Sequence, residues 1–571
     1  MASLQNEQID QSYQGLIKTA DNTATIPFPP AKLQFGDGTD FPIEIGDLSQ
    51  FGAGTFIALK SGTSGIQIDG NTFAITSSAG TISPTGGAVD FIDGTFNFGA
   101  GFPGAPATSV DFTNATVTGL PSGSAGLENG TGADSLQSAA ALTTTAADAA
   151  GSGSIALGDG ASATRQESVA IGQGALANGT GSEGSIAIGH GSVASANRGI
   201  AIGINGTTNS SEGIVIGDDV DISGSDRSVG IGNSINLSGG NDKVAIGTSA
   251  LNNATTTLST TVIGFQAGYS INSTDANRTT LVGYTAGRSL TSGIGNVAIG
   301  SEALRTEDTG DYNTAIGHQA LYTQNRDGTV NNTAVGYQAG LDVTTAYGAT
   351  LIGSLAGQNI TEGIENTIIG NSAAATLTTG DFNTALGVQA LATEDVGRGT
   401  TAIGYQTLYS QNSDSNDEET YNTAVGYKAG YLTTTANKVT YMGYDAGYNN
   451  TTGTSNTAVG NSALYQNKLG SYNTAIGDEA GKYVTSSLNV SIGFSAGRGK
   501  SSAPYNSGEA NISIGTYTNY DVSTGKMNVS VGDRAGYEMD TGMHNTLLGN
   551  NAGYNVKDAE GSVIIGGYAG R

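Results

Sequence analysis

The chain has 571 residues, with 89 glycines, 9 prolines and no cysteine or tryptophan, and only 12% of its residues are charged. Because no Gly-X-Y period is present and 37% of the residues are hydrophobic, collagen, a disulfide scaffold and a disordered chain are all excluded. The formal net charge of −27 opposes binding to nucleic acid or acidic lipid, so we expect neither a nucleic-acid partner nor membrane insertion.

The N-terminal quarter is predicted to hold three segments before the main domain: 1–48, 49–121 and 122–153. The second is β-rich, because its short alternating runs between Gly-rich turns are typical of strands. These runs are TFIALK (55–60), IQID (66–69), TFAIT (72–76) and TFNF (95–98). The third is rich in Ser, Gly and Ala, which favours a linker, and its SLQSAAALTTTAADAAG stretch suggests one short helix.

Residues 154–571 are predicted to form a single repeat domain. One motif recurs 25 times: a β-branched residue, a small residue, an aliphatic residue and a glycine, as in VAIG ending at Gly172 and TAIG ending at Gly317. We call this last residue the repeat glycine. The spacing is about 14 or 15 residues early and mostly 17 later. Since so short a unit cannot bury its own apolar face, we predict stacked coils of parallel strands, an all-β β-solenoid.

Three columns of the aligned motif indicate how each coil packs. The third and first residues before the repeat glycine (the flanking columns) share one strand face, which we predict to fill the core. The second residue before it (the middle column), usually Ala, leaves a small opposite face. The repeat glycine is expected at positive φ, and an Ala three residues later predicts a second short strand. A frequent Asn before the motif predicts an amide ladder along the stack. The core residues expected from the flanking columns are Ile171, Ile188, Ile246, Ile316, Ile403 and Ile476.

The early units resemble a known family. SVAIGQGALANG (168–179) and SIAIGHGSVAS (185–195) are similar to head repeats of trimeric autotransporter adhesins. That resemblance implies a left-handed parallel β-roll of about 25 coils and a homotrimer. Two departures stand out: the first 25 residues contain no apolar signal region, and the chain ends inside a repeat, in VIIGGYAGR, instead of in barrel strands.

The N-terminal residues resemble a second group of proteins. The opening MASLQNEQIDQSYQGLIKTADNT (1–23) and VDFTNATVTGLP (110–121) are similar to N-terminal regions of bacteriophage tail fibres, especially marine ones. This resemblance implies that residues 1–48 anchor the chain to other virion proteins and that the protein is made in the host cytoplasm. A bacterial trimeric surface adhesin and a purely architectural virion component, such as a capsid fibre or tail-associated piece, remain as alternatives.

Tyrosines form two columns of the repeat, nearly all after residue 264. The first tyrosine column directly follows the repeat glycine, and the second lies five residues after it. A tyrosine ladder that covers the coil edge is one interpretation, and a surface that binds envelope glycan is the other. For contact with a host glycan or protein we favour the first column: Tyr284, Tyr337, Tyr405, Tyr427 and Tyr444. The second comprises Tyr269, Tyr322, Tyr409, Tyr431, Tyr448, Tyr465, Tyr537 and Tyr554.

Residues suited to catalysis are scarce. His190, His318 and His544 are far apart in sequence, no cysteine exists, and acidic residues recur in no column that would pair two of them. The insertion NSDSNDEE (412–419) resembles a calcium loop in composition but lacks its spacing, so a solvated acidic turn is favoured over a calcium site. We therefore predict a non-enzymatic fibre with no catalytic residue, cofactor or metal.

Overall fold

The computed structural model describes six strands between residues 32 and 97, together with residues 127–131, 135–138, 145–179, 184–254, 259–273, 276–415, 418–502 and 505–571. The chain divides into two compact units, Met1–Gly217 and Asp218–Arg571. No helix occurs among the described residues, and so none there could span a membrane.

The first unit opens with a six-stranded antiparallel sheet whose strands pair in chain order. Strands β3 to β6 fall on the four alternating runs of the sequence, which confirms a β-rich N-terminal region. Two further strands precede residue 49. The strands are β1 (Lys32–Gln34), β2 (Asp40–Glu44), β3 (Ile57–Ser61), β4 (Ser64–Asp69), β5 (Thr72–Ser77) and β6 (Phe96–Asn97).

The segment expected to be a linker contributes to the solenoid instead. Strands β7 (Leu127–Asn129) and β8 (Leu136–Ser138) form an antiparallel pair, and β8 pairs in parallel with β9 (Ile155–Leu157). Leu136, Ala147 and Ala149 are buried. The small side chains that favoured a linker are those that fit a narrow solenoid interior. A short helix was predicted for the SLQSAAALTTTAADAAG stretch, but its first residues form strand β8. Residues 139–144 of that stretch lie outside the described residues.

Each early coil of the first unit carries two strands. The motif strands pair in parallel with the equivalent strands of the next coil, so that Val169 lies opposite Ile186, and the second strands do likewise. The second short strand predicted after the repeat glycine is confirmed for these coils. After β9 the strands are β10 (Ser162–Ala163), β11 (Val169–Ile171), β12 (Leu176–Ala177), β13 (Ile186–Ile188), β14 (Val193–Ala194), β15 (Ile200–Ile204), β16 (Thr207–Thr208) and β17 (Ile214–Ser223), which begins in this unit.

The second unit is built from motif strands that stack in register, one for each coil. Thr314 lies opposite Thr333, Ala315 opposite Ala334 and Ile316 opposite Val335, and this pairing continues in parallel along the unit. The strands are β18 (Val229–Ser238), β19 (Val244–Ile246), β20 (Thr261–Ile263), β21 (Thr280–Val282), β22 (Val297–Ile299), β23 (Gly310–Asp311), β24 (Thr314–Ile316), β25 (Gly328–Thr329), β26 (Thr333–Val335), β27 (Thr350–Ile352), β28 (Thr367–Ile369), β29 (Thr384–Leu386), β30 (Thr401–Ile403), β31 (Thr423–Val425), β32 (Thr440–Met442), β33 (Thr457–Val459), β34 (Thr474–Ile476), β35 (Val490–Ile492), β36 (Ile512–Ile514), β37 (Val529–Val531), β38 (Thr546–Leu548) and β39 (Val563–Ile565).

The 25 motif strands confirm the predicted fold class, an all-β parallel β-solenoid, with about 24 turns. In the long coils of the second unit, however, the second short strand is replaced by turns. Gln319 and Leu321, two and four residues after a repeat glycine, have φ near +56° and +50°. Because left-handed residues interrupt an extended strand, this stretch turns back toward the core instead.

The two faces of the motif strand are the reverse of the prediction. The middle column is fully buried, as at Ala315 and Leu351, whereas the flanking columns point outward. Among the six isoleucines assigned to the core, only Ile188 is buried. Four are half-buried, and Ile476 is 40% exposed. The correction follows from what fills the interior: many coils take their bulk from the middle column, as at Leu351, or from the fourth residue after the repeat glycine, as at Leu391, so the flanking columns are not needed in the core.

The stacking of successive coils requires nearly every repeat glycine, with the last, Gly566, as an exception. All 25 have φ between +124° and +148°, as the sequence predicted for the turn. A Cβ on Gly317 would lie 2.2 Å from the carbonyl oxygen of Gly336, the repeat glycine of the next coil. Any side chain there would collide with backbone, which cannot move aside within a continuous ladder.

The interior of many coils is filled from one of two positions. When the middle column holds a large residue, such as Leu281, the fourth residue after the repeat glycine is commonly glycine, here Gly287. When the middle column holds Ala, as in Ala385, that fourth position is often Leu, here Leu391. A Cβ on Gly287 would lie 2.7 Å from Leu281 Cδ2. The two positions therefore share one space, which is packed densely only when one of them is small.

An asparagine ladder satisfies the backbone between coils, as predicted. Asn366 Oδ1 accepts the backbone N–H of Asn383 at 2.8 Å, and its Nδ2 donates to the carbonyl of Gly380 at 2.8 Å. Asn383 repeats both contacts with Thr400 and Gly397. Each buried amide thus joins its own coil to the next, where an unpaired polar group would be costly.

Candidate functional site

The first tyrosine column is displayed on the surface of the second unit. All five predicted residues are exposed, by 42–54% of their surface. The structure joins Tyr405, Tyr427 and Tyr444 into one stack, with ring centroids 5.3 and 5.1 Å apart. The other two lie in separate pairs, with Tyr284 stacked on Phe265 at 5.5 Å and Tyr337 on His318 at 5.6 Å.

Sequence reasoning missed Phe265 and His318 as members of this column. Both directly follow a repeat glycine, so an alignment by position, without restriction to tyrosine, would have found them. His318 therefore packs as one ring of an aromatic column. The columns are interrupted elsewhere, because Ser301, Ser354 and Asn371 occupy the same position in the coils between these groups.

The second tyrosine column is less exposed and forms two stacks, one of four rings and one of three. Tyr409, Tyr431, Tyr448 and Tyr465 stack at 5.2, 5.1 and 5.2 Å, with ring planes within 20° of parallel. Tyr520, Tyr537 and Tyr554 stack at 5.1 and 4.8 Å. Tyr520 was not assigned to this column from the sequence, although it too lies five residues after a repeat glycine.

Cations continue the second column where tyrosine is absent. Arg288, Arg305, Arg498 and Arg571 occupy the same position of the repeat, and each guanidinium lies over the tyrosine of an adjacent coil at 5.1–5.7 Å. Such cation–π contacts contribute about 0.5–1 kcal/mol at exposed sites. The column is therefore a mixed edge of rings and cations on a chain whose overall charge is strongly negative.

Lys428 connects the two tyrosine columns. Its Nζ lies 5.3 Å from the ring centroid of Tyr427 in the first column and 5.2 Å from that of Tyr431 in the second. Desolvation opposes the charge of Lys428. The hydroxyl groups of Tyr427, Tyr448 and Tyr431 favour this charge, that of Tyr427 also by a hydrogen bond, and the pKa of the lysine is raised. The pKa of Asp445, in the next coil, is raised by burial, against the field of Lys428. The two columns thus enclose a polar row between them.

Buried carboxylates occur inside the coils, and they were not predicted from the sequence. Glu307 is fully buried, and its Oε1 accepts the backbone N–H groups of Asp308, Thr309 and Gly310 at 3.0, 3.2 and 2.7 Å. Burial raises the pKa of Glu307. These contacts hold a turn closed, and the carboxylate does not reach the surface. It is a structural group.

The acidic insertion does not assemble a metal site in the part that the structure describes. Asp414 donates its backbone N–H to Glu418 Oε2 at 3.1 Å, and Asp417 lies outside the described residues. No group of three or more His, Asp or Glu residues suited to a metal ion occurs among the described residues. The three histidines belong to separate coils.

Comparison with known families supports the sequence resemblance over a short stretch. The YadA head domain repeat matches residues 149–175, 166–182 and 181–205. No curated protein matches the chain. The matched ranges include both units that resemble adhesin head repeats and the two-stranded coils β9 to β15. Residues 149–205 therefore carry head repeats of the trimeric autotransporter adhesin type.

Proposed function

We propose that this protein is a non-enzymatic attachment fibre of a bacteriophage, a homotrimer of left-handed β-rolls that holds the virion by its N-terminal segment and contacts the host envelope with its coils. The observation that carries the fibre role is the adhesin-type head repeat at residues 149–205 within a solenoid. The virion location is supported by the resemblance of residues 1–23 and 110–121 to phage tail fibres.

The outward flanking columns support assembly with other copies. An aliphatic residue of the flanking column is more than a third exposed in many coils, and contiguous apolar surface of this kind marks an interaction face. Because such a residue recurs along the solenoid, the area available to three parallel copies grows with its length. The exposed members are Ile263, Ile299, Ile352, Leu386, Met442, Ile476, Ile514, Val529, Leu548, Val563 and Ile565.

Assembly through this face is tested by two substitutions in one strand. Ile316→Asp places a charge on the outward face, so we expect folded monomers in sedimentation with mass determination. Ala315→Asp places the same charge in the interior, where an unpaired carboxylate costs several kcal/mol, so we expect local unfolding. Folded trimers of the Ile316 variant would contradict assembly through this face.

A bacterial surface adhesin is the second candidate, and the head-repeat match itself favours it. An architectural virion component is the third, with no receptor at all. Immunogold electron microscopy of phage particles and of bacterial cells, with antibody raised against residues 404–465, separates them. Label that projects from the surface of the phage particle supports the phage fibre. Label on bacterial envelopes supports the adhesin, and label that lies against the capsid or tail supports the architectural role.

Host contact is assigned to residues beyond about 264, where the tyrosine columns lie. We expect recombinant protein to bind host cells or envelope glycan, and the double variant Tyr337→Ala and Tyr405→Ala to bind less. The matched control is Tyr312→Ala, which removes a tyrosine that is equally exposed, at 51%, but lies outside both columns. Binding that survives truncation after residue 264 would place the contact elsewhere.

A further inference from the structure

We propose that the tyrosine stacks within residues 404–415 and 418–465 form a binding site for an extended, neutral, β-1,4-linked polysaccharide that lies along the coils with one sugar for each coil. This inference rests on the proposed attachment function and names its ligand class. The site comprises the stack of Tyr405, Tyr427 and Tyr444, the stack of Tyr409, Tyr431, Tyr448 and Tyr465, and the polar row between them.

The stacking decides which part of each ring a ligand can reach. Neighbouring rings in both stacks lie 5.1–5.3 Å apart and within 20° of parallel, so each inner ring has both faces covered by its neighbours. A sugar ring therefore cannot stack on Tyr427 or Tyr431. What remains accessible is the ring edge that carries the hydroxyl group, because the opposite edge is attached to the backbone.

Two rows of phenol hydroxyl groups follow from this arrangement, with one group in each row per coil. A phenol hydroxyl both donates and accepts hydrogen bonds, and so do the hydroxyl groups of a sugar. An extended β-1,4-linked pyranose chain advances by nearly the same distance per sugar as these rings do per coil. Successive sugars would then meet equivalent groups without any change in the conformation of either chain.

The polar row between the stacks selects for a neutral ligand. Its members, one in each coil, are Gln406, Lys428, Asp445 and Ser462; Ser462 is buried, so the row offers a ligand an amide, an ammonium and a carboxylate. Lys428 reaches both stacks, so the row is about one side chain wide. No single sign of charge dominates it, and the net charge of −27 disfavours a polyanion.

This stretch is also where the two columns run together. Tyrosines of both columns occupy three consecutive coils, those that follow Gly404, Gly426 and Gly443. In the coils after Gly353 and Gly370 the first column holds Ser354 and Asn371, and the second holds Gln358 and Ala375. The stack of Tyr520, Tyr537 and Tyr554 lies beside Thr516, Asp533 and Asn550 of the first column.

The test measures binding of the full chain to cello-oligosaccharides and chito-oligosaccharides, from disaccharide to octasaccharide, by isothermal titration calorimetry. We expect affinity to rise with length until the sugar spans the stacks and then to level off. Tyr427→Phe with Tyr431→Phe keeps the ring stacks and removes two hydroxyl groups, so we expect at least about tenfold weaker binding. The matched control is Tyr312→Phe with Tyr472→Phe, two exposed tyrosines outside both columns, and it is expected to leave binding unchanged.

Three results would overturn the inference: no binding of either oligosaccharide series, binding independent of length, or unchanged affinity in the Tyr427 and Tyr431 variant. Preferential binding of an acidic polysaccharide such as polygalacturonate would overturn the neutral-ligand assignment. Attachment of the chain to host cells, measured in parallel, keeps the two proposals apart. Cell binding without oligosaccharide binding refutes only the inference, whereas absence of cell binding refutes the attachment function.

Discussion

Leu281 and Gly287 offer a test of how the coil interior is packed. Leu281 is fully buried, and a Cβ added to Gly287 would meet its Cδ2 at 2.7 Å and its Cδ1 at 2.9 Å. Leu281→Ala removes the side chain that fills this space, so we expect a loss of about 2–5 kcal/mol in the free energy of unfolding. Gly287→Leu alone should also destabilise, because it overpacks the same space by about 1–3 kcal/mol.

The double variant should be less unstable than the sum of its parts. It recreates the arrangement of Ala385 and Leu391, where leucine occupies the fourth position with φ of +55°. The left-handed backbone costs a leucine roughly 1–2 kcal/mol, so recovery is incomplete, but a favourable coupling of about 0.5–3 kcal/mol should remain.

The assay for this cycle needs a local readout, because repeat proteins do not unfold in a single step. Denaturant midpoints of the four proteins are measured together with hydrogen exchange of amides in the coils around Leu281. Leu469→Ala, at a side chain 67% exposed, is the matched control and should shift the midpoint little. Additive effects of the two substitutions would refute the shared-space explanation.

Three further substitutions probe the stacking between coils. Gly317→Ala should cost at least about 1–3 kcal/mol, since its Cβ would collide with backbone at a φ of +136°, whereas Gly567→Ala, with nothing within 4 Å, should be neutral in the same thermal unfolding assay. Asn366→Ala should cost about 1–3 kcal/mol by leaving buried backbone groups unpaired, and exposed Asn371→Ala should not. Because burial raises the pKa of Glu307, the folded state binds the proton of this carboxyl more tightly than the unfolded state does. This contribution to the free energy of unfolding is lost as the pH rises above the ordinary carboxyl range. Glu307→Gln should remove that loss, and equal pH profiles of stability for the variant and the unaltered protein would contradict the argument.

The sequence predicted the solenoid because the repeat is a long-range signal. The motif and its spacing predict parallel stacking independently of the conformation of each turn. The repeat glycine recurs because the backbones of successive coils approach closely there, and the asparagine before the motif recurs because its amide joins one coil to the next. The orientation of the strand was not predictable from alternation alone. Alternation tells which residues share a face but not which face points inward; Ala315 points inward because Leu321, four residues after the repeat glycine, fills the interior of that coil.

The tyrosine columns were predictable as positions, whereas their continuity was not. Tyr405, Tyr427 and Tyr444 form a stack only because consecutive coils stay in register, including across the longer coil that separates Gly404 from Gly426. The buried carboxylate of Glu307 was invisible for a different reason. Neighbouring coils fill the same position with Gln324 and Leu290, and the acid recurs there only five coils later, at Glu394, so the column does not read as acidic.

The shared interior space has a consequence for how so repetitive a chain finds its correct neighbours. Coils of identical sequence could slip by one whole turn and pair with the wrong partner at little cost. Here the coils differ inside: Tyr441 fits against Gly430 and Gly447, and Glu394 pairs its Oε2 with Gln411 at 2.8 Å. A slip by one coil would place Tyr441 against leucine side chains and leave the carboxylate of Glu394 without its hydrogen-bond partner. The interior residues thus distinguish one turn from the next, and these differences oppose misfolding into shifted or chain-exchanged stacks.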